Sequence, residues 1–137
     1  MHSEELQRPV GDLPLRDPVC VPATATVRDA VHRLQALRAG CVMVTDDDAR
    51  LIGIFTERDV LRKLAHLGNK AGDLLIRDVM TARPTALHVG DSIVYALHQM
   101  HVGGHRHVPI VDDSGTPIKL ASVRNFVDFL AERLLKE

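Results

Sequence analysis

Apolar residues recur along this chain with two spacings. After Thr26 they fall at Val27, Ala30, Val31, Leu34 and Leu37, and after Ser92 at Ile93, Ala96, Leu97 and Met100. Steps of three and four predict a helix with one buried face, and the Thr or Ser directly before each run is a helix-capping residue. Short β-branched runs come next, Cys41-Val42-Met43-Val44 and Val108-Pro109-Ile110-Val111. Each is closed by an acidic turn, Asp46-Asp47-Asp48 or Asp112-Asp113-Ser114-Gly115, and followed by a second apolar run, Leu51 to Phe55 or Ile118 to Ala121. That order predicts a strand, a turn and a second strand. A closing helix starts at Thr56, with Val60, Leu61 and Leu64 on its apolar face, or at Ser122, with Phe126, Val127, Leu130 and Leu134.

These two series are one pattern repeated. A gapless shift of 66 residues carries Asp12 to Asp78, Pro18 to Pro84, Ala30 to Ala96, His32 to His98, Val42 to Val108, Asp46-Asp47 to Asp112-Asp113 and Arg58 to Arg124. The predicted fold is therefore α+β, two βαββα repeats. A unit of about 60 residues buries too little surface alone, so the two are expected to pack about a pseudo-twofold axis. The expected division is a flexible tail at 1–11, a first repeat at 12–68, a polar, glycine-containing linker at 69–76 and a second repeat at 77–135.

Composition narrows the function. The chain has 137 residues with a formal charge of −1, and only four aromatics, Phe55, Tyr95, Phe126 and Phe129. A near-neutral surface without stacking platforms argues against nucleic acid as partner. No stretch has the roughly 20 apolar residues that span a bilayer, and the opening residues lack the basic start and apolar run of a secretory signal, so a cytoplasmic protein without a membrane partner is expected. Cys20 and Cys41, with no CxxC spacing, are expected as reduced, packed thiols.

Candidate chemistry sits where the second strand turns into the last helix. There Thr56 offers a hydroxyl and Asp59, one turn on, a carboxylate beside unpaired backbone N–H groups. A carboxylate there accepts from both hydroxyls of a ribose, as acidic residues do in dinucleotide folds. The same spacing is also that of a helix capping box. In the second repeat Ser122 keeps the hydroxyl, Asn125 replaces the carboxylate and Lys119 replaces Gly53. With one acceptor oxygen and no charge, Asn125 is expected to hold a ribose less firmly, making the two sites unequal. Lys119 is expected either to meet a phosphate or to be a solvated edge-strand lysine.

The stretches Gly53-Ile54-Phe55-Thr56-Glu57-Arg58-Asp59, Ile76-Arg77-Asp78-Val79-Met80-Thr81 and His107-Val108-Pro109-Ile110-Val111-Asp112-Asp113 together resemble the cystathionine beta-synthase (CBS) domain family. The likeness runs from Asp12 to Leu134 as a tandem pair with no effector domain in the sequence. It implies a module that binds adenosine-containing ligands (AMP, ADP, ATP, NAD or S-adenosylmethionine) in clefts between repeats and dimerises into a flat disc. It further implies that Thr56 and Asp59, and in the second repeat Ser122 and Asn125, serve the ribose. Arg106, His107 and Arg124 would serve the phosphates, and Met80, Thr81 and Val108 the adenine.

Two other readings stand beside this one. His98, His101, His105 and His107 fall within a short stretch and include a pair spaced for one helix face, but no cysteine or nearby carboxylate completes a metal set, so no metal is expected. Apolar residues in the last helix exceed one narrow stripe, which points to a homodimer and allows a pure dimerisation scaffold with vestigial clefts. No nucleophile with a supporting base is found, and no enzyme is expected. The leading expectation is a sensor: an adenosyl ligand such as AMP or ATP shifts an equilibrium between two arrangements and alters a surface read by an unidentified effector protein.

Overall fold

The computed structural model describes residues 3–136. Along the chain run α1 (Ser3–Leu6), β1 (Cys20–Pro22), α2 (Val27–Ala36), β2 (Cys41–Thr45), β3 (Leu51–Thr56), α3 (Glu57–Asp59), α4 (Ile76–Val79), β4 (Thr81–Ala82), β5 (Leu87–His88), α5 (Ile93–Gly103), β6 (His107–Val111), β7 (Pro117–Ser122) and α6 (Val123–Leu134). A single 3-10 turn covers Val10–Asp12, and α3 runs on as π-helical turns over Val60–Leu64 and 3-10 turns over Ala65–Asp73. Both repeats thus show the expected strand, helix, two strands, helix. The chain folds as two units, one of Pro18–Pro84 with Ser114–Pro117, the other of the residues up to Asp17 with Thr85–Asp113 and those from Ile118 onward.

The first unit has a four-stranded sheet in the order β1-β2-β3-β4. Strand β1 pairs with β2 in parallel, Val21 opposite Val44, and β2 pairs with β3 antiparallel, Val42 opposite Phe55. Alternation sends Val42, Val44 and Phe55 into one core with Val27, Ala30, Leu34 and Ile76. Burying each large member fully contributes roughly 1.5–3 kcal/mol. Helix α2 starts as its sequence asks: Thr26 Oγ1 accepts from Asp29 N, and Asp29 Oδ2 from Thr26 N. The acidic turn of the hairpin is structural, since Asp46 Oδ1 accepts from the backbone N–H of Asp48 and of Arg50.

Segments expected as boundary regions belong to the cores. Residues 69–76 are no loose linker: Ala71 is buried and Ile76 fully so. Ile76 N donates to Ala25 O, and Val27 N to Leu74 O. The next residues form β4, a strand absent from the sequence reading, with Thr81 opposite Ile54 and Ala82 opposite Gly53. The first unit therefore takes 77–84, which the sequence division gave to the second repeat.

The second unit has the sheet β5-β6-β7, with Leu87 of β5 parallel to Ile110 of β6. Its core joins Ile93, Ala96, Val108, Ile110, Phe126 and Phe129 to Val10 and Leu13. Residues 3–11, expected as a flexible tail, are docked here. Val10 is fully buried. Val10 N donates to Asp91 O and Gly11 N to Val89 O, while Arg8 O accepts from Ile93 N. Arg133, with its side chain mostly covered, pairs with Glu5 at 2.8 Å. Just beyond, Arg16 and Leu120 exchange both backbone hydrogen bonds. The physical reason is local: Leu6, Val10 and Leu13 step by four and three, but Pro9, Gly11 and Pro14 break the run before it can form one continuous helix, and with Leu15 all pack on this core.

Candidate functional site

Strand β3 ends at Thr56, whose extended backbone makes it the cap of α3. Asp59 N donates to Thr56 Oγ1 at 3.2 Å, and Thr56 N donates to Asp59 Oδ2 at 2.9 Å. The capping box weighed in the sequence is thus formed. It uses one carboxylate oxygen. The other, Oδ1, lies 3.6 Å from Lys63 Nζ, with the Asp59 side chain 13% exposed. Lys63 was not singled out in the sequence, although its place four residues after Asp59 on one helix face was the available signal. Its ammonium also donates to Val79 O at 2.8 Å, tying the carboxylate to the segment leading into Met80.

Met80 and Thr81 stand beside this motif. A Cβ on Gly53 would collide with Met80 Sδ, so the Met80 side chain lies over this glycine and any larger residue there would displace it. Thr81 pairs with Ile54. Gly53, Thr56, Asp59, Met80 and Thr81, chosen from separate stretches, come together in the first unit. Cys41 lies opposite Thr56 and is fully buried. Burial pushes its thiol up to about 12, with the Asp59 charge acting in the same direction, so it is the neutral, packed thiol the sequence suggests.

The second unit builds the matching helix start differently. Ser122 N donates to Asn125 Oδ1 at 2.8 Å, and Ser122 Oγ donates to the same oxygen at 3.2 Å. Asn125 Nδ2 donates to Pro14 O at 3.1 Å. Lys119 is paired with Asp17 at 2.7 Å, and this contact holds the Asp17 carboxyl below its ordinary value. Arg124 pairs with Asp128 along its own helix. Arg106 is exposed, and its carbonyl accepts from Val123 N. His107 opens β6, and the Val108 side chain is fully buried in its unit's core.

The glycines before Arg106 end a helix. Gly104 has φ 65° and closes α5, while a Cβ on Gly103 would strike the His105 ring. Among the described residues no group of three or more His, Cys, Asp or Glu side chains is placed to hold a metal, so His98, His101, His105 and His107 are not gathered into a site. Nor is any described helix long and apolar enough to cross a membrane. A groove of about 440 Å³ lies on the outer helices of the first unit, lined by Val27, Val31, Val60, Leu61 and Leu64 with Arg28 at its rim; neither Thr56 nor Asp59 lines it.

Comparison with known proteins agrees with this construction. The CBS domain model matches residues 10–66 and 76–132. A CBS domain-containing protein of Arabidopsis thaliana is 33% identical over 107 residues, which cover 78% of this chain and 19% of that protein. The chain spans about a fifth of the length of the first curated relatives it matches. Among solved structures, a CBS domain protein from Pyrobaculum aerophilum complexed with AMP is similar with a TM-score of 0.77 and 28% identity, over 85% of this chain and 88% of that one. A CBS-domain containing protein from Agrobacterium tumefaciens is similar with a TM-score of 0.80 and 27% identity, over 93% and 97%. With both repeats matched and each built as strand, helix, hairpin and helix, this chain belongs to the CBS domain family as a tandem pair.

Proposed function

We propose that this chain is a regulatory, non-enzymatic module that binds an adenosine-containing ligand, with AMP the first candidate, through Thr56 and Asp59. The observation that carries the reading is the Asp59 carboxylate. Its Oδ2 is taken by the cap, while Oδ1 accepts no hydrogen bond among the described residues and lies 3.6 Å from the Lys63 ammonium. An acceptor held rigidly at a helix start suits the two hydroxyl donors of a ribose. Met80 and Thr81, fixed against the same strand, supply the wall for the adenine; the adenine role expected of Val108 is not kept, since its side chain is fully buried in its own unit's core. Arg106, His107 and Arg124 are assigned to the phosphates. The AMP complex of the Pyrobaculum aerophilum relative supports the choice of ligand class. A cytoplasmic homodimer that signals to an effector protein completes the proposal; the ribose role expected of Ser122 and Asn125 is not kept in it.

The test is calorimetry and thermal shift of ligand-free protein with AMP, ADP, ATP, NAD and S-adenosylmethionine, on wild type, Asp59→Asn and Asp59→Ala. A ligand at a hundredfold excess over its Kd stabilises the native state by about 2.7 kcal/mol. Asparagine at 59 keeps an oxygen for Thr56 N and so preserves much of the cap, which separates lost binding from lost stability. Loss of the ligand-induced shift in both variants supports the reading. No shift with any of the five compounds in wild type sinks it.

One observation favours a second reading, a dimerisation scaffold. Leu61 is 74% exposed at the rim of the 440 Å³ groove, apolar surface that a second copy would cover. A dimer that is indifferent to all five compounds would select this reading.

A further inference from the structure

We propose that Asn125 and Lys119 clamp the segment Pro14–Asp17 onto the second unit, and that this clamp stands in place of a ligand, so that each chain carries one adenosyl site, at Thr56 and Asp59. The count of ligands rests on the function proposed above; the clamp does not.

The hydrogen-bond inventory carries the argument. An asparagine amide has one acceptor oxygen with two lone pairs and two N–H donors. In Asn125 both lone pairs are taken, by Ser122 N and Ser122 Oγ, and Nδ2 donates to the Pro14 carbonyl. No acceptor is left for a diol. Asp59, at the matching position, makes no direct bond to its neighbouring segment: among the described residues Oδ1 accepts no hydrogen bond, and the link to Val79 O runs through the Lys63 ammonium 3.6 Å away. The 66-residue register puts Lys119 where Gly53 stands and Pro14 where Met80 stands. In the first unit the glycine leaves room for the Met80 side chain. In the second the lysine carries an ammonium to Asp17, three residues beyond the carbonyl that Asn125 holds. Between these two tethers Arg16 and Leu120 exchange backbone hydrogen bonds, at 3.3 and 2.9 Å. The segment is thus fixed from both sides and along its backbone.

The experiment combines hydrogen exchange with a ligand count on the full chain. Asn125→Asp removes the donor to Pro14 O, sets a charge against that carbonyl and keeps an acceptor for Ser122 N. It is expected to speed exchange of the Arg16 and Leu120 amides about tenfold or more relative to wild type, while amides of β2 stay unchanged. Lys119→Met, a gentler change, is expected to act in the same direction and serves if Asn125→Asp does not fold. Calorimetric titration of wild type with AMP is expected to give one ligand per chain, and Asn125→Ala to bind AMP within twofold of wild type. Unchanged exchange at Arg16 and Leu120 in the folded variants overturns the clamp. Two AMP per wild-type chain overturn the single site. If AMP binds nowhere in wild type, the nucleotide reading falls, and the exchange data still decide the clamp.

Discussion

The last helices of the two repeats start from the same register and end as different objects. In α6, Phe126 and Phe129 are buried and Arg133 stacks on the Phe129 ring at 3.6 Å, and the helix is regular for 12 residues. At the matching places the first repeat has Val60 and Lys63, and where α6 has Leu134 it has Gly68, with φ 59°. There α3 gives way after three residues to π-helical and then 3-10 turns. Such turns mark a strained or functional stretch of helix. The difference teaches that a shared apolar register sets where a helix lies, while the volume of its core residues sets how firmly it is held. The firm helix belongs to the unit with the clamp. The loosely wound one carries Asp59 and Lys63.

The largest expected effect breaks this contrast from the firm side. Phe126→Ala is expected to cost about 3–5 kcal/mol in urea unfolding, as large-to-small changes in a packed core do. Val60→Ala, at the matching position but only half-buried, is expected to cost a small part of that. Equal losses would mean that the two helices are held alike.

Alkaline pH probes the first unit next. Cys41 titrates near 9.0 when exposed and near 12 when buried in the fold, so the native state keeps a proton that the unfolded chain releases. Stability is therefore complete below about pH 9 and falls as pH rises towards 12, by up to about 1.4 kcal/mol per pH unit. Chemical unfolding at pH 8 and 10, with Cys41→Ala as control, checks the sign: the variant is expected to lose less. The second unit has no cysteine, since His107 stands at the matching position.

A smaller effect compares caps within the first unit. Thr56→Ala and Thr26→Ala each remove one hydroxyl acceptor and are expected to cost about 1 kcal/mol in thermal melts. Only Thr56→Ala is expected also to weaken AMP binding. The smallest effect is at Arg124, whose pair with Asp128 is largely exposed; Arg124→Ala is expected to change stability by less than about 0.5 kcal/mol. Its AMP affinity then reports on the proposed phosphate role without a stability change to confuse it.

Much of this architecture was legible in the chain. The register of 66 residues, the capped helices at Thr26 and Ser92 and the two hairpins follow from periodicity, because each element turns one apolar face to its core. The Thr56–Asp59 box was legible from its spacing, and the gathering of Met80 and Thr81 beside it from family likeness alone. What escaped is short or interrupted by proline and glycine. Val10 and Leu13 are single apolar residues in a polar opening, and β4 is two residues long. Lys63 stands four residues after Asp59, a spacing open to reading, but the contact that fixes it, to the Val79 carbonyl, is 16 residues away along the chain.

The crossed assignment of segments bears on how such a chain can be cut. Each sequence repeat lends its leading stretch to the other's sheet or core: Val10, Leu13 and Arg16 go to the second unit, Ile76, Thr81 and Ala82 to the first. The stretch that repeats in the sequence is therefore not the stretch that folds. A half-length fragment ending before Ile76 would leave Gly53 and Ile54 as an open strand edge, and the complementary fragment would lack the residue that plugs its core at Val10. Two such fragments mixed together are expected to restore each other.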